Sequence, residues 1–218
     1  MKIQWLGHSC FKLVESTGTT ILADPYDPKG VGIELPMVKA DVVTISHDHF
    51  DHNCKKNIEG NPTTLDKVGL WDINGVEITG LQSYHDDEKG GKRGENFIFK
   101  YRMDGVDLCH MGDVGQECSP ILSESIGAVD VLMIPVGGTY TIDATQAKEY
   151  VDFLMPDVVI PMHFKTPNNK LDIDKLDDFV DLFDEEDIIY VDGDTFEFDR
   201  ASFDGESTKV IIFKNDKF

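Results

Sequence analysis

Apolar positions along this chain come mostly in short blocks parted by turn residues, the pattern of a sheet-rich fold. KIQWL, FKLVE and TTILAD read as three strands near the start, with STGT as the clearest turn between them. DVVTIS is a continuous apolar run, as expected of a buried strand. GVEITGLQS, NFIFKYRMDG and VDLCHMGD follow. The last two are joined through MDGVD, where Asp-Gly suits a hairpin turn needing positive φ. VDVLMIP and PDVVIPMH are two more buried strands, and IIYVD, TFEFD and KVIIFK close the chain with strands.

Helical spacing occurs in two places. In DATQAKEYVDFLM, Ala144, Ala147, Val151 and Leu154 share a face, and Asp143 is placed to cap the helix. LDIDKLDDFVDLFDEED predicts an amphipathic helix over 171–187 with Leu176, Phe179, Val180 and Phe183 inward. No linker, simple repeat or low-complexity segment interrupts the pattern. The expectation is one sheet-rich α/β domain over residues 1–218.

Charge and cysteine usage narrow the function classes. The net charge of −21 argues against nucleic acid or an anionic membrane as partner. It leaves room for a small anionic substrate, because a metal site is a strong local positive charge. The acid is uneven: Asp172 to Glu206 holds 15 acidic and 2 basic residues, which reads as a solvated face. The four cysteines form no CxxC pair, the N-terminus has no apolar stretch of signal length, and no run approaches a membrane span. The expected location is the cytoplasm.

The candidate chemistry sits in ISHDHFDHNC, which packs His47, Asp48, His49, Asp51 and His52 just past the DVVTIS strand. Loops beyond strand ends are where α/β proteins gather active-site groups. Alternate residues of an extended loop, His47 and His49, can grip one ion. If the chain then turned into a helix, Asp51 and His52 would swing toward a second. Imidazole nitrogen and carboxylate oxygen suit zinc, and also iron or manganese. Packed together without a cation, such groups would cost desolvation and leave nitrogens unpaired. Three further strand exits each end in ligand chemistry, at His85, Asp113 and His163.

With HDHFDH, His85, Gly112-Asp113 and PMH in that order, the chain resembles the metallo-β-lactamase superfamily. WLGHSCF, KRGENFIF, CHMGDVG, IPVGGTYTIDATQA and VVIPMHFKT bring it nearest to the small single-domain metal-dependent hydrolases related to an ascorbate-phosphate lactonase. The resemblance implies a four-layer αββα sandwich, two mixed β-sheets flanked by helices. It implies one metal on His47, His49 and His85, a second on Asp51, His52 and His163, and Asp113 bridging them. His49 stands where the di-iron, oxygen-reducing branch typically has Glu, so zinc is favoured over manganese, iron or nickel.

The expected function is a dinuclear hydrolase acting on a small ester, lactone or phosphodiester. Two ions would lower the pKa of a shared water, and Asp51 would also hold or relay the proton. The alternative is a non-hydrolytic metal-binding or redox protein on the same fold. His8, His110 and Asp24 are candidates to support the ligating groups or touch substrate. Tyr140, in the PVGGTYTID loop, and Arg93, in the glycine-rich EKGGKRGEN loop, are candidates to contact substrate, Arg93 as an anion contact. Neither glycine run has the context of a phosphate-binding loop.

Overall fold

The computed structural model describes residues 1–203 and 205–215. Asp204 of the acidic stretch and the last three residues of the expected domain lie outside the described residues. Two mixed sheets face each other. The first has strand order Thr195–Glu197, Lys2–Trp5, Phe11–Val14, Thr20–Ala23, Val42–Thr44 and Thr63–Leu65. Its first four strands are antiparallel and its last two join in parallel. The second runs Ile188–Asp192, Lys209–Lys214, Val158–Met162, Val131–Pro135, Val106–His110, Glu95–Met103, Val76–Tyr84 and Gly69–Ile73. It is parallel up to Val106–His110 and antiparallel from there on.

The apolar runs VDVLMIP and PDVVIPMH are explained by burial on both faces of the second sheet, whereas DVVTIS lies in the first. Along Val131–Pro135, Val131 and Met133 join the core shared with the first sheet, whereas Leu132 and Ile134 join a second core. That second core is closed by Leu122 and Ile126 of the helix Pro120–Ile126 and by Ala147, Tyr150 and Val151 of the helix Ala144–Leu154. Asp143 caps the latter as expected, in a capping box with Gln146. The turn MDGVD forms a hairpin with both Asp104 and Gly105 at positive φ. Elsewhere, among the described residues, helix is reduced to the single turns Pro28–Val31 and Asp177–Val180 and three short 3₁₀ turns.

The second turn is a departure from the sequence pattern. The amphipathic helix expected over 171–187 survives only as Asp177–Val180, with Phe179 fully buried. Upstream, the backbone is held extended: Lys165 N–H donates to Asp174 O, and Asp174 N–H donates to Gly137 O. Downstream, the run is rich in Asp, a poor interior helix former, and it ends in the 3₁₀ turn Glu185–Asp187. Tertiary pairing at one end and weak propensity at the other outweigh the apolar stripe. The acidic residues are largely at the surface, as expected of a solvated face.

Candidate metal centre

Six connections at one rim of the two sheets deliver the polar side chains. The strand Val42–Thr44 ends two residues before Ser46, and His47, His49, Asp51 and His52 follow in a tight turn. No helix follows, contrary to the expected geometry. Instead the amides of His52 and Asn53 both donate to His49 O, at 3.0 and 2.9 Å, and one 3₁₀ turn comes after, Lys55–Asn57. The tight turn places Asp51 and His52 beside His163, while His47 and His49 meet His85. His85 directly follows Val76–Tyr84, His163 directly follows Val158–Met162, and Asp113 lies three residues past Val106–His110. His8, Asp24 and His163 all adopt left-handed backbone, at φ 52°, 46° and 53°. Strain of this kind in non-glycine residues gathers where the surrounding structure fixes a functional geometry.

The side chains meet in three groups, one of which, Asp24 with His47 and His52, spans the other two. His47, His49 and His85 offer ligand atoms within 4.8 Å of one another, and so do His8, Asp51, His52 and His163. Asp113 stands between the groups. Its Oδ1 is 3.1 Å from His52 Nε2, and its Oδ2 is 3.1 Å from His163 Nε2, 3.5 Å from His85 Nε2 and 3.8 Å from His47 Nε2. Nε2 of His47, His52 and His163 and Oδ1 of Asp113 are buried with no hydrogen-bond partner. Buried polar atoms are rarely left so, because each forfeits its solvation. A divalent cation fits this donor set of imidazole nitrogens and carboxylate oxygens converging around Asp113.

Hydrogen bonds behind the rings fix which nitrogen is free. Asp24, 1% exposed, accepts from Ser46 N–H through Oδ1 at 2.8 Å. Its Oδ2 faces His52 Nδ1 at 2.8 Å and takes the Ser46 hydroxyl at 2.5 Å. Ser46 has only that one hydroxyl proton, so His47 Nδ1, 2.9 Å from Ser46 Oγ, is the donor there. Both rings therefore carry a proton on Nδ1 and present Nε2 toward Asp113. Burial opposes ionisation of Asp24, but the bond from His52 outweighs it and holds the carboxyl below its usual range. Burial likewise opposes ionisation of Asp113. His163 and His52 overcome it, keeping that carboxyl well below the ordinary range.

His8 and His110 are buried and bonded to protein rather than open to substrate. The amide of Gly112 donates to His110 Nδ1 at 3.2 Å, so His110 Nε2–H donates to Ser9 O at 2.9 Å. His8 Nε2 lies 3.3 Å from Asp51 Oδ2, and its Nδ1 lies 3.5 Å from Asn169 Nδ2. Burial, with His163 alongside, lowers the His8 pKa to about 4, so the ring is neutral and donates to Asp51. Residues without any metal signature complete the support. Asn96 donates to Ser83 Oγ at 2.7 Å and Met111 O at 2.9 Å and accepts from Asp113 N–H at 2.9 Å. Ser46 and Asn96 have no signature in the sequence beyond Ser46 abutting the histidine motif.

The groups open onto a cavity of about 460 Å³ lined by His49, Phe50, Asp51, His85, Asp113, Lys92, Arg93, Tyr140 and Leu171. Arg93 and Tyr140, both singled out from the sequence, face it together. The guanidinium carbon of Arg93 lies 5.1 Å from the centre of the Tyr140 ring. The loop bearing Arg93 is organised by Asp86, a residue the sequence pattern passes over. Its carboxylate accepts the amides of Glu88 and Gly90 through Oδ1, at 2.8 and 2.9 Å. It accepts those of Lys92 and Arg93 through Oδ2, at 2.9 and 2.7 Å. Burial opposes its ionisation, but these four donors, Arg93 first, bring the Asp86 pKa down to about 2. An Asx-type turn in DDEKGG is the available sequence signal for it. On the Tyr140 side, Gly137 is required because a Cβ there would meet His163 O.

A profile of the "Beta-lactamase superfamily domain" matches residues 2–163. A UPF0173 protein of Pyrococcus furiosus is 32% identical over 186 residues, covering 76% of this chain and 84% of that protein. A UPF0173 metal-dependent hydrolase of Koribacter versatilis is 29% identical over 200 residues, covering 76% and 85%. A crystal structure from Thermotoga maritima, described as a Zn-dependent hydrolase of the metallo-β-lactamase superfamily, superposes with a TM-score of 0.79. It has 39% identity and 97% of each chain is covered. The chain belongs to the beta-lactamase superfamily, among its metal-dependent hydrolases.

Proposed function

We propose that this protein hydrolyses a small ester, lactone or phosphodiester with two divalent metal ions, zinc before manganese, iron or nickel. The observation that carries the reading is Asp113, which lies 3.1 Å from His52 and His163 of one group and 3.5 and 3.8 Å from His85 and His47 of the other. His47, His49 and His85 would hold one ion and Asp51, His52 and His163 the other. Bound there, the ions would supply an ionised water at neutral pH and polarise the scissile oxygen. The protein's own part is orientation and proton handling. Asp24 and Ser46 aim the rings of His47 and His52. Asp51 borders the cavity, and its carboxyl is held well below the usual range: burial opposes ionisation, and His52 and His8 outweigh it. It is therefore ionised, and it would accept a hydrogen bond from the attacking water and hold or relay its proton. His8 fixes its Oδ2 from behind.

Four unpaired cysteines suit a reducing compartment, and we assign the protein to the cytoplasm. Among the described residues, no helix is long and apolar enough to cross a membrane. The partner is a small molecule, since the cavity is of ligand size. The test is metal content by mass spectrometry together with a screen of bis-p-nitrophenyl phosphate and simple lactones. Two equivalents of a redox-inactive metal with turnover would support the reading. Iron with oxygen consumption and no hydrolysis would overturn it.

A further inference from the structure

Of the three arginines in this chain of net charge −21, Arg102 and Arg200 are ion-paired, and the guanidinium of Arg93 forms no ion pair among the described residues. Its neighbour Lys92 lines the same cavity but is held by Asp87 and Glu88, each at 3.0 Å. Arg93 also borders a second hollow of about 410 Å³ that meets the first at His49 and carries Asp48, Asp66 and Glu95. None of these carboxylates pairs with it. A half-buried cation left unpaired beside so many acids is being kept for something else. Its placement is built rather than incidental. The ring of Tyr140 braces the guanidinium, and Asp86 anchors the Arg93 amide at 2.7 Å while closing three more bonds in the same loop.

We propose that Arg93 selects the substrate by binding an oxyanion, a carboxylate or phosphate, that the substrate carries away from the bond being cleaved. The inference rests on the hydrolase reading of the same cavity. A planar guanidinium presents two parallel N–H groups to such an oxyanion. Tyr140 fixes the plane, and Asp86 is the positioning residue that holds the loop over the cavity. Asp51 and Asp113, which line the same cavity, are compensated on the metal side, so the outward-facing positive charge is that of Arg93.

The test compares two esters of matched length, mono-4-nitrophenyl succinate and 4-nitrophenyl butyrate, on the metal-loaded protein. Alongside, inorganic phosphate and succinate are titrated calorimetrically into the metal-free protein. Arg93→Gln should lower the ratio of kcat/KM for the succinate ester over the butyrate ester about tenfold or more. Arg93→Lys, which keeps the charge and loses the fork, should recover only part of it. Asp86→Asn should raise KM for the succinate ester with little change in kcat. In the metal-free titrations, whichever anion loses affinity on Arg93→Gln names the oxyanion. An unchanged ester ratio, with both anions bound as before, overturns the proposal. If neither ester is cleaved yet anion binding still depends on Arg93, the oxyanion site stands and the hydrolase reading falls instead.

Discussion

Asp24 Oδ2 faces His52 Nδ1 at 2.8 Å, and through the Ser46 hydroxyl the same oxygen also governs His47. One buried carboxylate thus sets the tautomer of a ring in each half of the candidate centre. Asp24→Asn keeps the shape but can present its NH₂ to His52, which reverses the proton on that ring. Outer partners of metal-ligating histidines typically contribute about 10–100-fold in affinity. Asp24→Asn should therefore weaken zinc binding by about that factor, read by competition with a chromogenic chelator. Unaltered affinity would remove Asp24 from the site's machinery.

Removing the metals should loosen the whole protein, because the buried imidazoles and Asp113 are then left facing one another without a cation. A ligand present at about 100 times its Kd adds about 2.7 kcal/mol to folding stability. Dialysis against dipicolinate should lower the melting temperature by several degrees, and two equivalents of zinc should restore it. Equal melting curves with and without chelator would contradict a metal held by these groups.

What could be read in advance was what depends on local spacing. His47 and His49 stand two apart and leave Asp51 and His52 to turn away. His85, Asp113 and His163 each follow a recognisable strand. A helix is only one way to swing Asp51 and His52 aside, and the tight turn found there brings the same side chains together. Support from Asn96 was hidden for a different reason. Its three bonds reach Ser83, Met111 and Asp113, residues up to 17 positions away, and nothing in ENFIF announces them. The hairpin at Asn74-Gly75 was hidden in plain view. Both residues have positive φ, and Gly69–Ile73 pairs back on Val76–Tyr84, the outcome Asn-Gly favours. The false helix over 171–187 followed a real apolar stripe, which only the pairing of Asp174 with Lys165 and Gly137 overrules.

Asn96 supplies a third prediction. It is fully buried, and its side chain spends both amide protons on Ser83 and Met111 and its oxygen on the Asp113 amide. Asn96→Ala leaves buried partners unsatisfied and frees the loop that carries Asp113. A cost of about 2–4 kcal/mol in folding is expected from such a loss. Urea unfolding measures it, and a cost under about 0.5 kcal/mol would show that Asp113 is held by other means.

The thiols give a fourth, with a pH dependence of known sign. Burial pushes the Cys109 pKa up to about 12 and raises Cys10 well above its ordinary value. Burial raises the Cys118 pKa as well, but Cys118 is the one thiol that is not buried, so Ellman's reagent at pH 8 should react with it before the others, which wait for unfolding. Above about pH 9 the unfolded chain releases the Cys109 proton while the folded one keeps it, so stability falls as pH rises from 9 toward 12. Cys109→Ala should remove about 2 kcal/mol of that decline between pH 9 and 10.5. A decline identical in both proteins would mean the thiol ionises freely in the folded state.

The sharpest test of two ions against one lies at His49, which is exposed and makes ring contacts with His47 and His85. Because its side chain is exposed, His49→Ala should fold and melt much as the parent does once both are metal-free. The group of Asp51, His52 and His163 keeps every one of its members in that variant. Bound zinc should accordingly fall from two equivalents to about one. Hydrolysis should fall by about 10²-fold or more, since polarisation of the reacting oxygen and activation of water are divided between the two ions. If the variant still binds two equivalents tightly, His49 is not a ligand and the first group cannot be the metal-holding unit proposed. If it binds none, the two groups act as one site and the dinuclear reading fails.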